Sequence, residues 1–428
     1  MLLLRGLAEI VGVSGGADFS AAPNSHLLLD GPRIHCWGNK ALDYSPETEL
    51  RPRRPVIAAP AFVDCHTHSV FAGSRDDEYE WRAQGLSYGE IAHRGGGILS
   101  TMRCVHSASE DSLFASAVTE VVKFARFGTA TVEIKSGYGW DLADEFKLLR
   151  VIARLKESAP LRIVATFLGA HALPPPFAGD RKNFVQQVCQ SMAEVSRQRL
   201  AEFADVFCDT GFFSPEEATE ILQSAKQAGL KPRIHAEELA PSGGAKVAAE
   251  CGAVSADHLE QISGEGIQAL AKAGVVGVLL PGVSFNLGLT HYPPARQMLE
   301  AGMEIGIATD FNPGSSFSQN MQLMLSIACS RMKLTPLEAF EAATRGGAAA
   351  LSRRGQLGEI YSGALADLAL FAAPNHRYVP YRFGENHCVG LIREGKILFL
   401  EDDVFDVVGD LEAIPYRQFE KKCLGILK

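Results

Sequence analysis

From Val56 onward, short apolar runs rich in β-branched residues alternate with stretches of helical period. Eight such runs predict strands: 56–68, 129–137, 161–171, 203–211, 230–238, 253–259, 275–282 and 303–312. The stretches between them read as amphipathic helices. That over 214–229 opens with Ser214 at the N-cap and Pro215 at the first helical position, and ends at Gly229. Eight strands separated by helices predict parallel βα units and a (β/α)8 TIM-type barrel over residues 56–362. A doubly wound sheet fits less well, because no GxGxxG opens a helix after the first strand. The flanks differ. Residues 1–55 and 363–428 read as short strands and turns, with a hairpin signal at Glu394-Gly395. Neither flank is long enough for its own core, so the two are expected to form one small β-sandwich domain from both termini.

Composition narrows the function. The 428 residues are 46% hydrophobic and 21% charged, with a formal net charge of −9. That balance is globular and excludes a disordered chain. Without a basic cluster, a nucleic-acid partner is not expected. An anionic small-molecule substrate then requires a local Arg or Lys. The 9 cysteines are dispersed, with no CxxC pair, and read as reduced thiols of a reducing compartment. The apolar start is broken by Arg5 and Glu9 and reads as a strand, and no run reaches the roughly 18–20 residues of a membrane helix. A cytoplasmic protein with no membrane partner is the expectation.

The chemistry collects at strand ends, where barrel enzymes build their active sites. Strand 1 ends in Asp64, His66 and His68, strand 3 in His171, and strand 5 in His235 and Glu238. Strand 6 ends in Asp257 and His258, and strand 8 in Asp310 and Asn312. His66 and His68 sit two apart, on one face of an extended segment, and can reach one metal. With His235 and Asp310 they make a three-imidazole, one-carboxylate set suited to one divalent ion per chain, Zn2+ or Fe. Taken singly, each histidine reads equally as a satisfied core side chain.

These residues carry a resemblance. FVDCHTH at the end of a first strand, with later His, His and Asp at strand ends, resembles the amidohydrolase superfamily of metal-dependent hydrolases. The segments FAGSRDDEYEWR, YGEIAHRGGGILSTM, EIKSGYG, FLGAHALPP, IHAEEL, ADHLE and TDFNPGSS, in this order over nearly the whole chain, are similar to the imidazolonepropionase family within it. The resemblance implies hydrolysis of the cyclic amide C–N bond of 4-imidazolone-5-propanoate to N-formimidoyl-L-glutamate, in histidine degradation. It implies His66, His68, His235 and Asp310 as metal ligands. Arg75, Tyr138, His171, Glu238, Asn312, Gly314 and Ser315 become substrate contacts, with Tyr88 a further one. It also implies a homodimer.

Chemistry supports these roles. A divalent metal makes water nucleophilic at neutral pH. Glu238 is expected to orient or deprotonate that water, Asp310 to shuttle a proton, and His258 to hydrogen-bond the water or the developing oxyanion. Arg75 offers a planar fork to a propionate. The blander alternatives are a solvated ion pair for Arg75 in Arg-Asp-Asp, a loop anchor for Tyr138 and a strand cap for His171. Gly95-Gly96-Gly97 is no phosphate loop, since no GK[ST] follows; it reads as a turn or a lid. Gly12-Val13-Ser14-Gly15-Gly16 matches GxSxG by chance. Strand 4, FADVFCDTG, has no Lys to bridge two metals, and Lys135 on strand 2 is no substitute. Two rival functions stand beside this reading. One is a mononuclear deaminase of an aminated heterocycle in the same superfamily. The other is a non-catalytic scaffold, against which the intact ligand set argues.

Overall fold

The first five strands, β1 (Leu2–Ser14), β2 (Phe19–Asp30), β3 (Arg33–Trp37), β4 (Thr48–Pro52) and β5 (Ile57–Pro60), precede the barrel. The barrel strands are β6 (Phe62–Asp64), β7 (Thr129–Lys135), β8 (Arg162–Ala170), β9 (Phe203–Cys208), β10 (Lys231–Ala236), β11 (Ser255–His258), β12 (Val276–Leu279) and β13 (Ile305–Ile307). Four strands follow: β14 (Leu368–Phe371), β15 (Cys388–Arg393), β16 (Lys396–Leu400) and β17 (Phe405–Val408). The structure, a computed structural model, describes residues 1–14, 18–86, 88–411 and 413–425.

The expected eight parallel strands are present, in chain order from β6 to β13. Past the strand ends β13 meets β6, through a parallel bridge between Thr67 and Phe311. The Asp310 N–H donates to the His66 carbonyl (3.0 Å) and the His68 N–H to the Phe311 carbonyl (2.9 Å). The circle therefore closes through the residues expected to carry the chemistry. Amphipathic helices cover the outside; those over Glu110–Arg126 and Leu142–Ser158 bury Val118, Val121 and Val122, and Leu148, Leu149 and Ile152. The helix over Pro215–Gln227 has the expected Ser214 cap and Pro start, completed by a capping box with Glu217.

The apolar run 56–68 is divided between two sheets. Ile57–Pro60 pairs with β1 and β14, and only Phe62–Asp64 joins β7. Pro60 stands at the break, where it has no N–H to offer a continuing ladder. β5 thus belongs to a nine-stranded sheet of order β16-β15-β14-β5-β1-β2-β3, with β4 pairing β1 and β17. Leu4, Leu7, Ile10 and Leu27 share one core with Leu368, Leu370, Ile392 and Phe405, so both termini fill it. Gly12 lies within β1 at φ 80°, where a Cβ would stand 2.7 Å from Pro60. Ser14 of the GxSxG match ends β1, and Gly15 and Gly16 lie outside the described residues. Among the described residues no helix is long and apolar enough to cross a membrane.

Alternation inside the barrel strands is what positions the site. In β7, Ala130, Val132 and Ile134 face the outer core, while Glu133 and Lys135 point inward. In β10, Ile234 and Ala236 face outward, and Arg233 and His235 inward. An ionic layer therefore occupies the upper barrel interior.

Candidate metal centre and active site

His66, His68 and His235 are buried, and their ligand atoms lie within 4.8 Å of one another. Asp310 brings Oδ1 to 3.4 Å from Nε2 of both His66 and His68. Ligands of a tetrahedral ion at roughly 2.0–2.1 Å are separated by about 3.4 Å, so these spacings suit one small divalent cation. Nε2 of His66, Nε2 of His235 and Oδ1 of Asp310 are buried without a hydrogen-bond partner. Such orphaned atoms are costly unless something binds them. Nδ1 of His66 pairs with Asp257 Oδ2 at 2.6 Å and Nδ1 of His235 with Asp205 Oδ1 at 3.1 Å. Each carboxylate fixes the proton on Nδ1 and leaves Nε2 as a lone-pair donor. Burial and the nearby Lys135 and imidazoles hold His66 well below its ordinary range, and burial with His171 does so for His68. Both are neutral, as ligands must be.

Beneath the donors lies the ionic layer. Lys135 Nζ contacts Asp205 Oδ2 (2.9 Å), Glu133 Oε1 (3.0 Å) and Asp257 Oδ2 (3.7 Å). Arg233 donates to Asp257 Oδ2 (2.8 Å) and to the Cys65 carbonyl (2.7 Å). Burial and Arg233 pull the Lys135 ammonium down, but Asp205, Glu133 and Asp257 more than offset them and hold it above its ordinary range. It is a structural cation. Glu133 accepts from the Thr67 N–H at 3.2 Å, pinning the residue between His66 and His68. Asp64, pushed up to about 7 by burial, accepts from the N–H and hydroxyl of Thr309 and ties β6 to the segment carrying Asp310.

A cavity of about 610 Å³ opens above the metal donors, lined by His68, Arg75, Tyr138, His171, Glu238 and Asn312 among others. That volume suits a small ligand. Gly314, Ser315, His235, His258 and Asp310 line it too, so the structure brings together every expected site residue except two. His66 lies beneath it. Tyr88 begins the helix Tyr88–His93, but its side chain lies outside the described residues.

Glu238 and His258 face one another, with Nδ1 3.5 Å from Oε2. Burial and the neighbouring Asp209 push the Glu238 carboxyl up to about 8. Asp209 also accepts from the backbone N–H groups of Glu238 and Leu239 (2.8 and 2.9 Å), fixing the turn that presents Glu238. Glu237, His258 and Asp310 have φ of 55°, 80° and 48°, left-handed values that non-glycine residues adopt at a cost and that gather at functional sites. His171 donates from Nδ1 to the Gly137 carbonyl (3.0 Å), and burial beside His235 lowers it to about 3. It is therefore a neutral imidazole with Nε2 as acceptor. Asn312 spends its side chain on its own loop, accepting from the N–H groups of Gly314 and Ser315 (both 2.8 Å) and donating to Asp310 Oδ2 (3.0 Å).

Arg75 differs from the expected open fork. Its Nε and Nη2 donate to Glu78 Oε1 and Oε2 at 2.9 and 2.8 Å, leaving Nη1 against Gly314. Glu78 Oε1 also accepts the Gly97 N–H (2.8 Å), so the Gly95–Gly97 turn is tied to Arg75. A Cβ on Gly96 would meet that same carboxylate at 2.9 Å.

Tyr138 is presented in a similar way. Glu145 accepts from the N–H groups of Gly137 (2.9 Å) and Gly139 (2.5 Å), one on each side of Tyr138. Burial pushes the Glu145 carboxyl up to about 7. A raised folded-state value means that no stability is lost below the unfolded value near 4.3, and that the penalty grows as pH rises toward 7. Glu145→Gln removes this term. Urea unfolding at pH 5.0 and 7.5 is expected to shift the stability difference toward the variant by up to about 3 kcal/mol at the higher pH. Parallel profiles would refute the assignment.

Glu78, Glu145, Asp205, Asp209 and Glu260 escaped the sequence reading, and Asp257 was placed at a strand end without a role. Glu260 is buried with neither oxygen partnered, 3.8 Å from His258 Nδ1. The legible signal was a charged residue at an inward position of an otherwise apolar strand, as in Asp205 and Asp257.

The chain matches the Amidohydrolase family over residues 57–400. It is 44% identical over 423 residues to an imidazolonepropionase of Geobacillus thermodenitrificans, covering 94% of this chain and 99% of that protein. It is 41% identical over 405 residues to an imidazolonepropionase of Anaeromyxobacter sp., covering 93% and 96%. Among solved structures it resembles an atrazine chlorohydrolase from Arthrobacter aurescens complexed with zinc, with a TM-score of 0.70, 17% identity and full coverage of both chains. It also resembles an adenosine deaminase from Xanthomonas campestris with bound zinc, with a TM-score of 0.70, 16% identity and coverage of 100% and 98%. At such identities the last two speak for the fold alone.

Proposed function

Because the chain belongs to the amidohydrolase family, and within it to the imidazolonepropionases, we propose the following roles for its residues in ring opening. The reaction is the hydrolysis of 4-imidazolone-5-propanoate in histidine degradation. Water adds to the ring carbonyl carbon, the ring C–N bond breaks, the freed nitrogen takes a proton, and N-formimidoyl-L-glutamate leaves. The observation that carries the assignment of roles is the convergence of the orphaned donors of His66, His235 and Asp310 with His68, at the floor of a cavity bearing guanidinium groups.

His66, His68, His235 and Asp310 hold one divalent metal, zinc or iron. When bound, it supplies Lewis acidity and lowers the pKa of water. Glu238, with a carboxyl poised near neutrality, takes the proton from water and returns it to the leaving nitrogen. Neutral His258 faces both Glu238 and the developing oxyanion. Neutral His171 accepts from a ring N–H through Nε2. Tyr138, whose phenol burial pushes up, stays protonated and donates to the substrate carboxylate beside Arg75. Gly314 and Ser315 line the cavity wall that Asn312 shapes. Tyr88 remains a further contact on the resemblance alone. We further propose a cytoplasmic homodimer. The reducing compartment rests on 9 free cysteines and the dimer on the resemblance. The two chain ends and their shared sheet are proposed as one domain, 1–55 with 363–428, beside the barrel of 56–362, whose first residues Ile57–Pro60 lend a strand to that shared sheet.

The decisive assay is anaerobic turnover of freshly generated 4-imidazolone-5-propanoate, followed by its ultraviolet absorbance, with and without a chelator. Chelator-sensitive formation of N-formimidoyl-L-glutamate is expected, restored by adding back zinc or iron. Metal-loaded, folded protein that leaves the substrate untouched would overturn the reading.

A further inference from the structure

Arg75 alone is a weak anchor for an anion. One of its two bidentate edges, Nε with Nη2, is held by Glu78, whose charge also cancels its own, and Nη1 of the other edge is turned against Gly314. A second guanidinium stands beside it. Arg82 lies seven residues, nearly two turns, further along the helix Asp76–Ala83 and lines the same cavity. Both groups converge on Gly314: Arg75 Nη1 lies 2.1 Å from where a Cβ would be, and Arg82 Nη2 donates to the Gly314 carbonyl at 3.3 Å. Arg82 Nε is buried with no hydrogen-bond partner, and no carboxylate lies within ion-pair distance of Arg82 among the described residues. Two cations thus share one anion at this wall, leaving a net charge of +1.

We infer that Arg82 is a specificity-determining residue, which supplies the uncompensated positive charge that selects a substrate bearing a carboxylate on a short arm. The inference rests on the imidazolonepropionase reading and deepens it. Leu86, Ile91 and Ile98 line the cavity with Arg82. Their apolar surface reduces screening on the cavity side of this half-buried guanidinium, so its attraction for an anion is stronger than at an open surface. Burial also lowers the Arg82 guanidinium, and an incoming carboxylate reverses that cost. Arg75 then contributes Nη1 and the shape of the wall, and Arg82 the charge and the unfilled donor.

The test compares 4-imidazolone-5-propanoate with its methyl ester, which keeps the ring and loses the charge, in the wild type, Arg82→Gln and Arg82→Lys. Arg82→Gln is expected to raise KM for the acid by roughly 10- to 100-fold, the scale of one charge-assisted hydrogen bond. For the ester the rise is several-fold smaller, so the preference for the acid collapses. Arg82→Lys, which keeps the charge, recovers most of that preference; it also serves as the readout if the Gln variant does not fold. Equal losses on acid and ester, or an unchanged KM for the acid, overturn the inference while the enzyme assignment stands. A wild-type enzyme that opens neither ring overturns the reading on which it rests, and the inference with it.

Discussion

Glu238→Gln is expected to lower kcat for 4-imidazolone-5-propanoate by roughly 10²–10⁴-fold, the contribution of a positioned general base, while one metal ion per chain is retained. Three features argue for an effect of that size. First, the carboxylate lines the cavity and faces His258, which burial keeps neutral, so it is placed to carry the proton between water and the leaving nitrogen. Second, burial and Asp209 push its pKa up to about 8, which lets it both accept and return a proton near neutral pH. Third, Asp209 holds its backbone, and glutamine has the same shape, so the substitution removes the proton acceptor and little else. The metal donors lie on other residues and their orienting carboxylates are untouched. Steady-state kinetics with elemental analysis on the same preparation checks both halves. A variant that keeps more than about a tenth of wild-type kcat at full metal occupancy would move the proton chemistry elsewhere.

The strand-end residues were readable because eight parallel strands oblige their C-terminal ends to share one mouth. The convergence of His66, His68, His171, His235, His258 and Asp310 follows from that geometry. The first strand divides at Pro60 within a continuous apolar run, and periodicity cannot see a change of sheet within an unbroken hydrophobic stretch. The groups that hold the substrate-facing residues were hidden for a different reason. Glu78 and Arg82 sit on a short helix dense in charge, DDEYEWRA, whose pattern is that of a solvated surface. Glu145 looks like an ordinary acidic first-turn residue of its helix, although it reaches back to clasp the backbone around Tyr138. Their burial is imposed by loops folding over them, and one-dimensional periodicity holds no record of that. Alternation along β7 and β10 held more information than the apolar character of those strands: Glu133, Lys135 and Arg233 fall at inward positions, where a barrel usually places branched aliphatic side chains.

Replacing Lys135 by methionine tests what that inward layer does. Lys135 and Arg233 face Glu133, Asp205 and Asp257, all fully buried, so two positive charges stand against three negative ones. Removing Lys135 leaves Asp205 Oδ2 without its cation and two further carboxylates undercompensated, and breaking a buried pair in this way costs about 3–5 kcal/mol. The effect does not stop at stability. Asp205 and Asp257 are the partners of Nδ1 on His235 and His66, so carboxylates that shift to relieve repulsion take the two imidazoles with them. Loss of such outer support weakens metal binding by roughly 10–100-fold. Lys135→Met is therefore expected to lower the denaturation midpoint of the metal-free protein and, separately, to weaken metal binding measured by competition with a chromophoric chelator. The metal-free measurement isolates the ionic layer from the site it supports. Wild-type stability and wild-type metal affinity in the same variant would mean that Arg233 and the surrounding dipoles suffice, and that Lys135 is dispensable to the architecture of the centre.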